Sequence, residues 1–279
     1  MATRIVTDST ADLPLAIVKE LAITVIPCNL HFGQETFLDG VDMDADVFYK
    51  RLSSESQLPT TSQPSPGAFL ETYGPMVKAG DQIVSIHVAA SLSGTVNSAL
   101  QAKEQLPDAT IEVVDSRQVS LSLGLAVTAA ARVAKSGASW EETIQVTRRA
   151  LEQVRFYALL DTLEYLRRGG RIGKVKGFVG SLLRVRPLIT ARDGIVESVT
   201  SVRSRAAGIQ YMVTLAEEAA PIQQLAVMHS TTPQEADSLA DRLRSLVPGG
   251  SVIQARIGPV IGTHVGPGAI GIAIQSEKR

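Results

Sequence analysis

The first half of the chain alternates short runs of apolar, β-branched residues with longer segments in which apolar residues recur every three to four positions. The short runs predict strands, and the longer segments predict helices. Strands are predicted at residues 4–7, 23–26, 82–87 and 110–114, and helices at residues 14–21, 66–78, 95–106 and 121–135. Strands that alternate with helices in this way predict a parallel sheet covered on both faces.

The pattern begins again in the second half. Ser139 is predicted to start a helix, because Glu142 follows at the spacing of a capping box. Asp193 and Gly194 predict a tight turn between two β-rich runs. Strands are predicted at residues 157–160, 188–189, 195–202, 224–228, 251–257 and 269–274, with a further helix that begins at residues 232–235.

Two α/β domains are therefore predicted, residues 1–155 and 156–279. The 27 lysines and arginines nearly balance the 28 aspartates and glutamates, so a nucleic-acid partner is not expected. Cys28 is the single cysteine and cannot form an internal disulfide, which favours a reducing compartment. With no signal peptide and no apolar run of the roughly 20 residues that a transmembrane segment needs, a cytoplasmic protein is predicted.

Charge is segregated locally despite the overall balance. Residues 165–192 carry eight basic side chains and no acidic one, and residues 35–46 carry five acidic side chains and no basic one. Both segments could be solvated surfaces. Alternatively, the first is a basic rim for an anionic group and the second an acidic surface for a partner.

Several familiar sequence motifs have the wrong spacing or the wrong neighbouring elements, so we reject them. Residues 266–271 spell G-x-G-x-x-G, but a predicted strand follows where a dinucleotide-binding fold needs a helix. Residues 169–174 lack the spacing of a phosphate-binding loop, and Val175 stands where that loop needs a hydroxyl. The four histidines do not have zinc-ligand spacing, so no metal site is expected.

Three polar clusters remain, each predicted to lie in a loop or turn: residues 60–66, 91–95 and the glycine-rich segment 262–268. Ligands of parallel sheets bind beyond the carboxyl ends of the strands. The hydroxyls of Thr61 and Ser93 could donate to a carboxylate or phosphate there, and His264 could add a donor or, when protonated, a charge. The simpler interpretation is that these side chains only form turns and helix caps.

The order and spacing of eleven short motifs, from end to end of the chain, resemble the DegV family of bacterial lipid-binding proteins. The motifs lie at residues 7–12, 61–65, 92–95, 97–99, 113–116, 163–166, 169–172, 177–178, 182–183, 187–188 and 263–268.

The resemblance implies an N-terminal parallel sheet flanked by helices and a C-terminal mixed sheet with helices, with a long-chain fatty acid such as palmitate between the two domains. It implies that Thr61, Ser93 and His264 hold the carboxylate, and that no cofactor or metal is needed. The supporting residues that it implies are Ser62, Gly94, Thr95 and Gly266.

The resemblance also implies a role in a kinase system. Family members known as FakB subunits are not enzymes by themselves. They present the bound fatty acid to a separate ATP-dependent fatty acid kinase, FakA, which forms an acyl-phosphate. An arginine that matches Arg171 is implicated in this step, and a transient contact with the membrane surface is left open. We expect the helix at residues 121–133 and the apolar run 178–183 to supply tunnel wall.

Two alternatives remain at this point. The first is a stand-alone enzyme in which His264 acts on a small carbonyl substrate, as in the substrate-binding subunits of dihydroxyacetone kinases. The second is a structural or regulatory protein for which a lipid is only a stabiliser. The chain length and saturation that the ligand site prefers are also open.

Overall fold

The computed structural model describes residues 1–178 and 185–277. The elements of the N-terminal half, in chain order, are β1 (Thr3–Asp8), α1 (Leu15–Glu20), β2 (Thr24–Ile26), β3 (Asn29–Phe32), β4 (Glu35–Leu38), α2 (Ala45–Ser54), β5 (Thr60–Ser62), α3 (Pro66–Lys78), β6 (Gln82–His87), α4 (Thr95–Glu104), β7 (Ile111–Asp115), α5 (Leu121–Lys135) and α6 (Trp140–Gln153). The predicted helices at 66–78 and 121–135 are confirmed at the same bounds.

The C-terminal half continues with β8 (Val154–Leu159), α7 (Glu164–Arg168), β9 (Arg186–Arg192), β10 (Ile195–Val202), α8 (Arg205–Glu218), β11 (Ile222–His229), α9 (Pro233–Leu243), β12 (Val252–Arg256), α10 (Pro259–Val265) and β13 (Ile270–Ser276). The predicted turn at Asp193 and Gly194 joins β9 to β10 as an antiparallel pair. The capping box at Ser139 and Glu142 is formed in both directions.

The two main sheets give two α/β domains, as predicted. The N-terminal sheet is wholly parallel, in the order β2-β1-β6-β7. The C-terminal sheet has the order β10-β9-β8-β13-β11-β12 and is mixed, because only its β11–β12 pair is parallel. The division of the chain at residue 155 stays a prediction.

A third, small sheet was not predicted. Its strands β4, β3 and β5 are antiparallel, and together with α2 they enclose a separate apolar cluster around Leu30, Phe32 and Phe48. These strands have only three or four residues each, which is too few for an alternating pattern to stand out. The small sheet matters because β5 carries Thr61.

Helix α5 packs against strands of both main sheets. Leu121 and Leu125 belong to the core under the C-terminal sheet, whereas Leu123 and Val127 belong to the core under the N-terminal sheet. The expectation that this helix lines a ligand tunnel is therefore wrong. It is buried nearly all round because it joins two cores. The side chains of the other expected wall, residues 178–183, lie outside the described residues.

The glycine-rich segment around His264 is also different from its prediction. Residues 259–265 form helix α10 instead of a turn, and the turn begins only at Gly266. The helix continues through Gly262. The absence of a side chain there allows α10 to approach α2, since a Cβ would lie 2.6 Å from Tyr49 Oη. Gly266 ends α10 with a φ of 73°, and its N–H donates to Gly262 O.

A candidate ligand cavity between the two domains

A cavity lies between the two domains and is lined by side chains from both. Its volume is about 80 Å³, which is space for several water molecules. The apolar lining residues are Cys28, Val88, Leu92, Val119, Phe156, Leu166, Ile189, Ala191, Val196, Val260, Ile261 and Val265.

The alternation of the C-terminal strands explains part of this wall. Ile189 and Ala191 are two residues apart on β9 and point to the same side, and Val196 lies opposite Ala191 on β10. These inward positions could have been found from the period of two in the sequence. Val88, Leu92 and Val119 are contributed by loops of the N-terminal domain, and no periodic signal marks them.

Thr61 and His264 meet in the wall of this cavity. Their Oγ1 and Nε2 atoms lie 3.0 Å apart and share a hydrogen bond, although the residues are 203 positions apart in the chain. Nδ1 of His264 is shielded from solvent and has no hydrogen-bond partner among the described residues. It faces Gly169, where an added Cβ would overlap the imidazole ring. Gly169 therefore makes room for the histidine.

The imidazole of His264 is neutral at pH 7. Burial and the nearby positive charge of Arg171 lower the pKa of His264 to about 4. The role of His264 as a hydrogen-bond donor stays a prediction, and the charge that it would add when protonated is absent near neutral pH. In its neutral form the ring has one N–H and one accepting nitrogen, so it can pass on a hydrogen bond without holding a charge.

Ser93 lies across the cavity on the segment that leads into α4. Its Oγ lies 2.8 Å from Oγ1 of Thr95, which is fully buried. Gly94 stands between them, and an added Cβ would lie 2.9 Å from Nε2 of Gln63. Thus Gly94 brings the Ser93 segment close to the residues that follow β5. Thr95 supports Ser93 from beneath and does not line the cavity itself.

Ser62 and Gly266, the two remaining supporting residues, contact neighbouring side chains. The Ser62 hydroxyl is directed at His31 Nε2, 2.9 Å away, and so is already engaged beside the small sheet. Gly266 lies against the ring of Tyr165, where any side chain would overlap the ring. Ser62 also lines the cavity, whereas Gly266 has no side chain that could donate to a ligand.

Arg171 is partly exposed to solvent and carries a positive charge that no described carboxylate balances. Its Nε donates to Leu92 O at 3.1 Å and its Nη1 to Gly169 O at 2.7 Å. Among the described residues, no carboxylate lies within ion-pair distance of it. A second depression, called the outer depression below, is lined by Arg171 and Arg168 and also by Thr61 and His264. The Thr61–His264 pair therefore separates this outer depression from the apolar cavity.

The family model described as "Uncharacterised protein, DegV family" matches residues 2–277. The chain belongs to the DegV family. It is 36% identical to a DegV domain-containing protein of Streptomyces coelicolor, and 33% identical to the protein DegV of Bacillus subtilis. Each of these alignments covers 98% of both chains, so the likeness to these DegV relatives includes both domains.

Solved structures of DegV proteins have the same fold. A DegV family protein from Thermus thermophilus, described in connection with fatty acid binding, superposes with a TM-score of 0.92 at 29% identity, over 99% of this chain and 100% of that chain. DegV from Bacillus subtilis, described as a fatty acid binding protein, superposes with a TM-score of 0.90 at 31% identity and the same coverage. A stearic-acid-binding protein from Eubacterium ventriosum gives a TM-score of 0.89 at 27% identity, over 99% of both chains.

Four of the eight basic residues of the segment 165–192 are paired in this DegV protein with acidic residues outside the segment. Arg167 and Arg168 both contact Glu164. Lys174 pairs with Glu197, and Arg186 pairs with Asp161. Exposed pairs of this kind contribute little to stability. Among the described side chains, Arg171 is the basic residue of this segment that lines the cavity.

The acidic segment 35–46 is mostly local structure. Asp44 caps α2 by accepting from Val47 N, and Asp42 accepts from Leu38 N. Asp39 is buried, with 4% of its surface exposed. Glu35, Asp42, Asp44 and Asp46 are exposed, so an acidic surface for a partner stays a prediction.

A buried Ser–His–Asp array in the N-terminal core was not foreseen. His87 Nδ1 donates to Asp8 Oδ2 at 3.0 Å, and Ser85 Oγ lies 2.6 Å from His87 Nε2. Tyr73 also donates to Ser85 at 2.7 Å. Burial alone would raise the pKa of Asp8, but bonds from His87, Thr10 and Val88 outweigh it and lower that pKa. Since Ser85 and His87 have no exposed surface and line no described cavity, the array braces the core and does not serve as a nucleophile.

Proposed function

We propose that this DegV protein binds one long-chain fatty acid in the cavity between residues 1–155 and 156–279. The carboxylate is held by Thr61, Ser93 and His264, and the acyl chain lies along the apolar wall. The single observation that carries this proposal is the polar pair Thr61–His264 set in the wall of an otherwise mainly apolar cavity. The fatty acid binding of the relatives from Thermus thermophilus and Bacillus subtilis supports it.

The headgroup arrangement follows from counting protons. An ionised carboxylate can only accept hydrogen bonds, so Thr61 must donate its single hydroxyl proton to the ligand. Thr61 then has to accept from His264, which places the imidazole proton on Nε2. Neutral His264 satisfies this requirement, because Nδ1 has no competing partner among the described residues.

The acyl chain supplies most of the affinity. Each methylene transferred from water to the apolar wall contributes roughly 0.8 kcal/mol. A buried carboxylate, by contrast, is costly unless several donors converge on it. The polar group therefore fixes the orientation of the ligand and the chain provides the free energy, as in most cavities for amphipathic ligands.

Arg171 and the outer depression agree with a cytoplasmic role as the lipid-binding subunit of a fatty acid kinase system. Residues 169–174 lack the spacing of a nucleotide-binding loop, so the phosphate has to come from a separate kinase. In the transfer, a carboxylate oxygen forms a bond to the terminal phosphorus of ATP, the bridging P–O bond breaks, and ADP leaves. The outer depression beside Thr61 and His264 is the side from which a FakA-like partner would reach that oxygen.

Arg171 is the residue that best fits this transfer. Its guanidinium lines both the cavity and the outer depression, and it has no carboxylate partner among the described residues. A planar guanidinium can donate two hydrogen bonds to a phosphate at once. Arg171 therefore stabilises negative charge on the phosphoryl group, whereas Thr61 and Ser93 hold the acyl end.

A displacement assay distinguishes this function from enzymatic action on a small ketone. A fluorescent fatty acid bound to the delipidated protein is expected to be displaced by hexadecanoic acid, less well by hexadecanol, and not by dihydroxyacetone. An apolar cavity gives a small polar ketone little to contact. A covalent dihydroxyacetone adduct on His264, together with no binding of any fatty acid, would contradict the proposal and favour the enzyme.

A further inference from the structure

Helix α10 begins against two carboxyl groups that come from the other end of the chain. Asp12 Oδ1 accepts from Gly258 N at 2.9 Å, across 246 positions of sequence. The carboxyl group of Asp39 lies against the same helix start, 3.5 Å from the position that a Cβ of Gly258 would occupy. Both aspartates belong to the N-terminal domain, whereas α10 lies between two strands of the C-terminal sheet in the chain. The start of α10 is thus held by the opposite domain.

The helix has no capping side chain of its own. Its N-cap residue is Gly258 and its first helical residue is Pro259, which has no N–H to satisfy. The free N–H groups of a helix start are usually satisfied by a serine, threonine or aspartate directly before the helix. Here Asp12 takes that role from a distance by accepting from Gly258 N, and the Asp39 carboxyl group lies beside it.

The rest of α10 is fixed by the N-terminal domain as well. Tyr49 Oη donates to Ile257 O at 3.1 Å, directly before the helix. Gly262 packs closely on Phe48 and Tyr49 of α2. Contacts with β3 and β5 complete this surface. His264 is carried on the final turn of the helix, so its place depends on how the first turn is seated.

The Asp12 carboxyl group is itself oriented by a hydrogen bond, and both acids are buried. Ser120 Oγ donates to Asp12 Oδ2 at 2.6 Å. Burial raises the pKa of Asp12 to about 8 and that of Asp39 to about 6, with a further contribution from repulsion by neighbouring carboxylates. Placing acids so close together in a buried region disfavours their charged forms. In this arrangement the two acids lie where they can contact the start of α10.

We propose that Asp12 and Asp39 are positioning residues for the headgroup site: by anchoring the first turn of α10, they set the distance between His264 and Thr61. This inference rests on the proposed fatty-acid function. It assigns the N-terminal domain two tasks, since one segment of it supplies Thr61 and another fixes the histidine that must meet Thr61.

The test compares ligands that differ only in the headgroup. In the delipidated protein, Asp12→Ala and Asp39→Ala are expected to weaken hexadecanoic acid about tenfold relative to hexadecanol. Asp12→Asn and Asp39→Asn keep an accepting oxygen and are expected to restore most of the preference. The imidazole ¹⁵N signals of His264, assigned with His264→Ala, are expected to shift in the alanine variants.

Asp81→Ala is the matched control. Its carboxylate also accepts from a backbone N–H, that of Ala2, but it lies far from α10 in the structure. It should leave the acid-to-alcohol ratio and the His264 signals unchanged. Ser120→Ala is a milder variant for the case that an alanine variant of either aspartate does not fold: it frees the Asp12 carboxyl and is expected to lower the ratio in the same direction, by less.

Two results would overturn the inference. Equal weakening of acid and alcohol with unshifted His264 signals would assign Asp12 and Asp39 to stability alone. An unchanged ratio in Ser120→Ala and in both alanine variants would do the same. If the parent protein bound neither ligand, the proposed function would fail, and the His264 signals of the ligand-free variants would still decide whether the aspartates position the ring.

Discussion

Joint replacement of Thr61 by valine and Ser93 by alanine is expected to weaken hexadecanoic acid binding by about a hundredfold or more. Each hydroxyl donates one hydrogen bond to a charged group, and such bonds contribute about 1.5–3 kcal/mol each. Each 1.4 kcal/mol corresponds to about a tenfold change in Kd. Isothermal titration of the delipidated variant against the parent protein measures the loss.

Ser62→Ala is the internal control for that experiment. Ser62 is next to Thr61 on β5 and also lines the cavity, but its hydroxyl lies 2.9 Å from His31 Nε2 and is engaged there. Its removal should change the Kd less than about threefold. Retained affinity in the double variant, or an equal loss in Ser62→Ala, would show that the carboxylate is held elsewhere.

Arg171→Gln is expected to lower acyl-phosphate formation by a FakA-like kinase by about tenfold or more, with a much smaller effect on fatty acid affinity. Loss of one group that stabilises transition-state charge lowers the rate by about 10²–10³ in well-studied enzymes. Glutamine can still donate a hydrogen bond, so part of that stabilisation remains. The measurement is ATP-dependent formation of acyl-phosphate with saturating fatty acid, so that weaker binding does not enter.

Arg167→Gln is the control for the arginine. Arg167 is close in sequence and equally basic, but its guanidinium is paired with Glu164 and does not line the cavity. Phosphorylation should therefore continue at the parent rate. Unchanged phosphorylation in Arg171→Gln, with lipid still bound, would remove the arginine from the transfer step and leave a lipid-binding protein without that role.

The sequence was sufficient for much of the fold because the main elements carry strong local signals. The strand at 82–87, the helix at 66–78 and the capping box at Ser139 appear at the predicted residues. In each case the local preference and the tertiary environment agree. The small sheet escaped prediction because β5 has three residues and pairs with a strand some thirty positions away.

The candidate site was predictable only in part. Thr61, Ser93 and His264 were predicted as site residues because they are polar and lie in predicted loops, and all three line one cavity in the structure. That His264 lies on a helix could not be read from a segment with three glycines, because the close approach of α2 decides it. Asp12 and Asp39 could not be linked to this site at all, since their contacts with the start of α10 span more than 200 positions.

Native mass spectrometry of the purified protein decides whether this DegV protein binds a long-chain fatty acid. We expect a chain that carries the additional mass of one long-chain fatty acid, that loses it on delipidation and that takes up one equivalent of added hexadecanoic acid. A protein that carries no lipid and takes up none under the same conditions would show that it does not bind one.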